Sequence, residues 1–197
     1  GPNMLLERTI TTSLQSTSFS VNDLVENQGM RETPFMLLYH FNFGYPLLTE
    51  RSRIYAPSVA VEPADDLSAR SINGWNRMER PESGARERVY FHRMQPDPTC
   101  RVTVLLVSDD TKPELGLLLR YNSDALPEFV QWKMTGANHF VLGLEPANCR
   151  TLGRSAERRR GTLQFLAPGE KRAFYLEVAV LVGEEEVARA IDANDLK

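Results

Sequence analysis

The sequence is poor in the residues that usually announce a chemistry. Its two cysteines, Cys100 and Cys149, stand far apart and outside any CxxC spacing. That argues against a disulfide framework or a zinc site, and for ordinary reduced thiols of a cytoplasmic protein. The three histidines, His40, His92 and His139, form no HxH, HxxxH or HExxH pattern, so a metal site would have to be assembled across separate strands. No GxGxxG, P-loop or GxSxG motif occurs, which removes the common nucleotide and hydrolase readings. No apolar run approaches the roughly 20 residues that span a bilayer, and no signal-peptide pattern opens the chain, so no membrane partner is expected. Positive charge is not in excess: 23 Lys and Arg stand against 26 Asp and Glu, a formal net charge of -3. No global field therefore draws nucleic acid. Internal repeats and low-complexity segments are also missing.

What is present suits one folded domain over residues 1–197, with 42% hydrophobic and 25% charged residues. Gly1-Pro2 has the form of a protease scar, and residues 4–10 run straight into strand-like sequence, so the chain is expected to begin within a larger protein. Period-two alternation and β-branched enrichment predict strands near 5–12, 16–21, 36–41, 59–62, 88–94, 101–107 and 115–121, then 129–134, 140–144, 161–166 and 172–182. Turn signals separate them, among them Asn27-Gln28-Gly29, Asp97-Pro98, Asp109-Asp110 and Pro168-Gly169. Short strands at this spacing predict an all-β sandwich of antiparallel sheets. One helix is predicted at 184–191, acidic at its start. Residues 64–84, with an isolated Trp75, and the arginine-rich 150–160 break the rhythm and read as loops.

Three segments could carry chemistry. In the first, a strand ends on His40 among aromatics, followed by Asn42. A histidine there can serve proton transfer, or can be a core histidine bonded to backbone, and pattern alone leaves both open. In the second, Glu145 closes the apolar run Phe140-Val141-Leu142-Gly143-Leu144 before Pro146. Burial beside such a run raises a carboxyl pKa toward the range of a base, whereas a water-facing strand end would not. In the third, Gln131, Trp132 and Lys133 could offer a flat ring and hydroxyl partners to a sugar, or Trp132 could be core. His92 alternates with Arg88, Tyr90 and Met94 on one strand face and could line a polar cavity or face solvent. Arg150, Arg154, Arg158, Arg159 and Arg160 could meet anionic sugars or form a solvated face.

Together these segments resemble a known group. "LYHFNFGYPLL" at 38–48 is similar to the histidine strand motif of aldose 1-epimerases, and "VLGLEPAN" at 141–148 to the later strand that carries their glutamate. The fuller resemblance is to a bacterial branch of the same superfamily, the DUF4432 family. It rests on "DLVENQG", "TPFMLLYHFNFGYPLL", "VYFH", "LPEFVQWK", "GLEP" and "GTLQFLAPGE" between Asp23 and Glu170. The resemblance implies a galactose mutarotase-like supersandwich of twisted antiparallel sheets, incomplete at its N-terminus. It also implies a carbohydrate isomerase that interconverts sugar anomers without metal or organic cofactor. His40 would be the acid and Glu145 the base, with Asn42, His92, Gln131, Trp132 and Lys133 as candidate sugar contacts. Mutarotases also draw an arginine and another histidine from a region that this chain is expected to start after. A homodimer or a complementary N-terminal fragment would then complete the pocket. The aspartate these enzymes place near "RERVYFH" has no counterpart, leaving Glu87 or His92 as candidates. The alternative is a carbohydrate-binding or sensing module of the same fold, with Trp132, Trp75 and Tyr39 stacking on sugar.

Overall fold

The computed structural model describes residues 2–108, 110–112 and 114–196. Gly1 of the opening dipeptide and Asp109 of the Asp109-Asp110 turn lie outside the described residues. The period-two pattern resolves into β1 (Met4–Thr12), β2 (Ser18–Asn27), β3 (Thr33–Phe35), β4 (Phe41–Phe43), β5 (Arg53–Tyr55) and β6 (Ser58–Pro63). Then come α1 (Asp66–Arg70), β7 (Arg88–Met94), β8 (Arg101–Ser108), β9 (Leu115–Asn122), β10 (Glu128–Gly136) and β11 (His139–Ala147). The chain finishes with α2 (Arg154–Arg160), β12 (Gln164–Leu166), β13 (Lys171–Val182) and α3 (Glu184–Ala193). A six-stranded sheet runs β1-β2-β13-β9-β8-β5 and a five-stranded one β4-β11-β10-β7-β6, with β12 and β3 forming a small third ribbon. The named strands pair antiparallel throughout. No helix among the described residues is long and apolar enough to cross a membrane.

The core fills the space between the two large sheets. Val21, Val104, Leu119 and Leu176 come from one side, and Phe129, Leu142 and Leu144 from the other. Each fully buried leucine contributes about 1.5–3 kcal/mol through the area removed from water. The far face of the six-stranded sheet is closed separately, where Leu105, Leu118 and Leu181 pack under Val187 of α3 and Leu196.

The structure corrects the expected elements in four places. The expected strand at 36–41 is broken: β3 ends at Phe35, β4 begins at Phe41, and Leu38 alone makes a bridge, to Ala147. Its backbone groups are taken by other partners, since the Asn148 side chain accepts from the Leu37 N–H and donates to the Phe35 carbonyl. Conversely, β11 does not stop at Glu145 but continues through Pro146 to Ala147. The Pro146 carbonyl accepts from the Tyr39 N–H, so the missing proline N–H falls on that side and costs the β10 ladder nothing. The expected 64–84 loop contains α1, capped by Asp65 accepting from the Ser68 N–H, and a 3-10 turn at Ile72–Gly74. The 150–160 stretch folds into α2, ended by Gly161 in the left-handed conformation at φ 74°.

Candidate active site

Register brings the reactive groups together. In the β10–β11 hairpin Val130 faces Glu145 and Trp132 faces Gly143, while β4 lays Asn42 opposite Gly143 on the other side. Side chains alternate along a strand, so Gly143 and Glu145 share one face and Leu142 and Leu144 point to the core on the other. His40, in the irregular approach to β4, hangs over the first face. Its Nε2 stands 3.0 Å from Glu145 Oε1, with the imidazole 43% exposed and the carboxylate 2%. The imidazole edge meets the Trp132 ring at a centroid distance of 5.8 Å, and Trp132 Nε1 donates to Glu87 Oε2 at 2.9 Å.

Gly143 is what allows this approach. A Cβ built there would lie 2.6 Å from Glu145 Oε1, 3.1 Å from His40 Cε1 and 3.2 Å from Trp132 Cβ. The glycine is a bare patch of floor over which the pair closes. A lone Gly inside an apolar strand was its visible signal in the sequence.

Glu145 is buried without compensation. The 3.0 Å approach of His40 Nε2 is within ion-pairing reach but is not aligned as a hydrogen bond. Oε1 is, with Ser108 Oγ, one of the buried side-chain polar atoms that lack a hydrogen bond among the described residues. Burial pushes the Glu145 carboxyl up to about 7. Glu157 of α2 shows the contrast: equally buried, it accepts from Arg160, from Thr162 and from the Arg150 N–H. A carboxylate so satisfied builds structure, whereas one left short of partners is poised to exchange a proton.

The predicted sugar contacts divide between the two faces of the sheet. Asn42, exposed, and Trp132, half-buried, share the face of His40 and Glu145. His92, Gln131 and Lys133 point the other way and are fully enclosed. Gln131 donates to the Trp75 carbonyl and accepts from His92 Nε2 at 3.1 Å, while Ser58 Oγ lies 2.9 Å from His92 Nδ1. Lys133 Nζ reaches Glu79 and the carbonyls of Gly74 and Arg77. These three residues fasten the 72–79 segment to the sheet, and as they stand they offer nothing to a ligand beside Glu145. Of the two candidates near the "RERVYFH" strand, Glu87 is the one linked to Trp132 on the site face. Trp75 packs on His92 and Tyr39 is buried, so Trp132 alone of the three proposed stacking rings stands at the site. Of the five arginines, Arg150 and Arg160 are committed to Glu62, Glu128 and Glu157, and Arg154, Arg158 and Arg159 lie on the solvated side of α2.

Burial holds the His92 imidazole down to about 4, against its hydrogen bond to Gln131, which acts the other way. An unfolded histidine titrates near 6.5, so the unfolded chain binds the proton first. The stabilisation is therefore complete above about pH 6.5 and is lost as the pH falls toward 4. Between pH 6.5 and 4.5, stability read from urea unfolding should fall by about 2 kcal/mol more in the parent than in His92→Gln.

Sequence reasoning missed two further supports. Asp23 is buried, and Arg8 grips it through two hydrogen bonds while the Tyr39 hydroxyl donates to it at 2.7 Å. Burial alone would raise the Asp23 carboxyl, but the bonds from Arg8 and Tyr39 outweigh it and hold it below the usual range. Asn148 is the second, its side chain bonding the Leu37 N–H and the Phe35 carbonyl. Cavities of about 650 and 520 Å³ lie elsewhere, one along Gln28–Pro34 and one along β1, β2 and β13. Neither is lined by His40 or Glu145. Volume marks concavity rather than proton-transfer groups, so the buried Glu145 Oε1 without a hydrogen bond is the stronger marker of chemistry. Among the described residues no three His, Cys, Asp or Glu side chains are grouped to hold a metal ion.

Comparison with known proteins agrees with this frame. Among curated proteins nothing matches the chain. A Klebsiella pneumoniae protein provisionally assigned as an aldose 1-epimerase superposes with a TM-score of 0.93 at 23% identity, over 98% of this chain and 50% of its own. A galactose mutarotase related enzyme from Lactobacillus acidophilus gives 0.62 at 14% identity, over 92% of this chain and 63% of its own. A galactose mutarotase-like protein from Clostridium acetobutylicum gives 0.60 at 13%, over 92% of this chain and 57% of its own. The chain thus spans less than two-thirds of the length of each of these proteins, and at these identities the likeness shows the fold: all-β, galactose mutarotase-like. The model for a domain of unknown function, DUF4432, matches residues 1–180, most of the chain, and the protein belongs to that family.

Proposed function

We propose that the His40–Glu145 face carries out anomer interconversion of an aldose, the reaction of an aldose 1-epimerase. The observation that carries this reading is the buried, unbonded Glu145 Oε1 facing a solvent-accessible imidazole 3.0 Å away. Ring opening needs one group to remove a proton and another to deliver one. The ionised Glu145 takes the proton from the anomeric hydroxyl, the C1–O5 bond breaks, and protonated His40 gives its proton to O5. The product is the open-chain aldehyde, with Glu145 neutral and His40 uncharged. After rotation about C1–C2, O5 attacks the other face of C1, His40 recovers its proton and Glu145 returns its own to O1. Both residues end as they began. Trp132 supplies an apolar wall for the ring, and Asn42 and Glu87 are the hydroxyl partners on the same side.

Saturation-transfer NMR on the anomeric protons of a panel of aldoses tests the reading. Acceleration of α–β exchange by the protein is expected for at least one sugar. Binding without acceleration would favour the carbohydrate-binding module instead, and neither effect on any sugar would end both readings.

A further inference from the structure

We propose that Asn148 is a positioning residue that sets the spacing between His40 and Glu145, an inference that rests on their reading as an acid–base pair. His40 belongs to no strand: the 36–40 segment lies between β3 and β4, and only local bonds can hold its imidazole over Gly143. Asn148 follows β11 directly, three residues beyond Glu145, and is 2% exposed. Its side chain accepts from the Leu37 N–H at 2.7 Å and donates to the Phe35 carbonyl at 3.2 Å and to Gln164 Oε1 at 3.3 Å. Its backbone N–H donates to the Leu37 carbonyl at 3.0 Å, and one residue pair away the Tyr39 N–H bonds the Pro146 carbonyl. The histidine segment is therefore clipped to the glutamate strand at 146–148, with the Asn148 amide standing in for the ladder that a regular strand would have made. A change of a few tenths of an ångström in that clip is transmitted to His40, three residues on from Leu37, while Leu142 and Leu144 keep their packing on the opposite face of the sheet.

A comparison within the same molecule separates positioning from mere structure. Asn27 is equally enclosed and plays the same chemical part elsewhere. It donates to the Arg31 and Leu166 carbonyls and accepts from the Gly29 N–H, none of them in the 36–40 segment or in β11. Asn148→Ala and Asn27→Ala are made in the full chain, with Asn148→Ser used if the alanine variant does not fold. Asn148→Ala is expected to lower kcat for anomer exchange by about 30-fold or more with KM within about threefold, while Asn27→Ala stays near the parent. A second readout needs no turnover: the His40 imidazole NMR signals are compared with and without Glu145→Gln. That substitution should shift them in the parent and in Asn27→Ala, and leave them almost unmoved in the Asn148 variant. If the parent is inactive but this coupling collapses, the acid–base reading fails and the positioning role stands. Coupling that persists in the Asn148 variant, or a kcat loss no larger than that of Asn27→Ala, overturns the proposal.

Discussion

Glu145→Gln is expected to slow catalysed anomer exchange by about 10²–10⁴-fold, the range a positioned acid or base supplies, with KM little changed. Glutamine keeps the size of the carboxylate and cannot take the proton. The parent rate should rise with pH through about 7, where burial has placed the Glu145 carboxyl, because only its ionised form is a base. The same substitution makes a stability claim of opposite sign. The folded carboxyl titrates near 7 and an unfolded glutamate near 4.5, so between those values the folded state holds more protons. The favourable contribution is complete below about pH 4.5 and is lost as the pH rises through 7. Glu145→Gln should therefore gain on the parent by at most about 3 kcal/mol at pH 8, less whatever solvent screening removes, and by little at pH 4.5. Because His92 titrates in the reverse sense, the acid slope of stability between pH 6.5 and 4.5 should be steeper in Glu145→Gln than in the parent. Kinetics and urea midpoints measured together check both halves. Full activity in the variant would remove Glu145 from the reaction.

Gly143→Ala should do nearly as much damage from a single methyl group. Three atoms of the site crowd the added carbon, the nearest being Glu145 Oε1 at 2.6 Å, inside any real contact distance. The carboxylate must turn away, and His40 Cε1 at 3.1 Å and Trp132 Cβ at 3.2 Å are tighter than ordinary contact and must shift as well. A displacement of about 1 Å at a proton-transfer pair costs on the order of 10² in rate. Stability should move by no more than about 1–2 kcal/mol, since the lost backbone freedom of the unfolded chain offsets part of the crowding. Activity within a few-fold of the parent would mean that the close approach of His40 and Glu145 is dispensable.

How much of this was legible in the sequence differs from residue to residue. The long strands showed themselves through apolar density in β8 and β9, which are buried on both faces, and through alternation in β13. His40 and Glu145 were legible through the motifs around them and their order. Gln131, Trp132 and Lys133 could not all have faced one ligand, because neighbours on a strand point to opposite faces, and only the pairing with β11 decides which of them joins Glu145. Helix α2 was hidden because its buried positions are Ala156 and Glu157, which leave no apolar stripe to see. The break at 36–40 was hidden as well, because its cause lies more than a hundred residues away in the amide of Asn148.

Strand β11 has a consequence for how this protein can vary. Its odd positions 143 and 145 form the floor of the proposed acid–base site, and its even positions 142 and 144 hold the interior, with steps of about 3.4 Å between them. Substitutions scanned along it should sort by parity, the odd ones silencing turnover in a folded protein and the even ones abolishing expression. New substrate preferences can then arise at Asn42, Trp132 and Glu87, whose neighbours on the opposite face carry the stability, without the two demands competing for the same side chains.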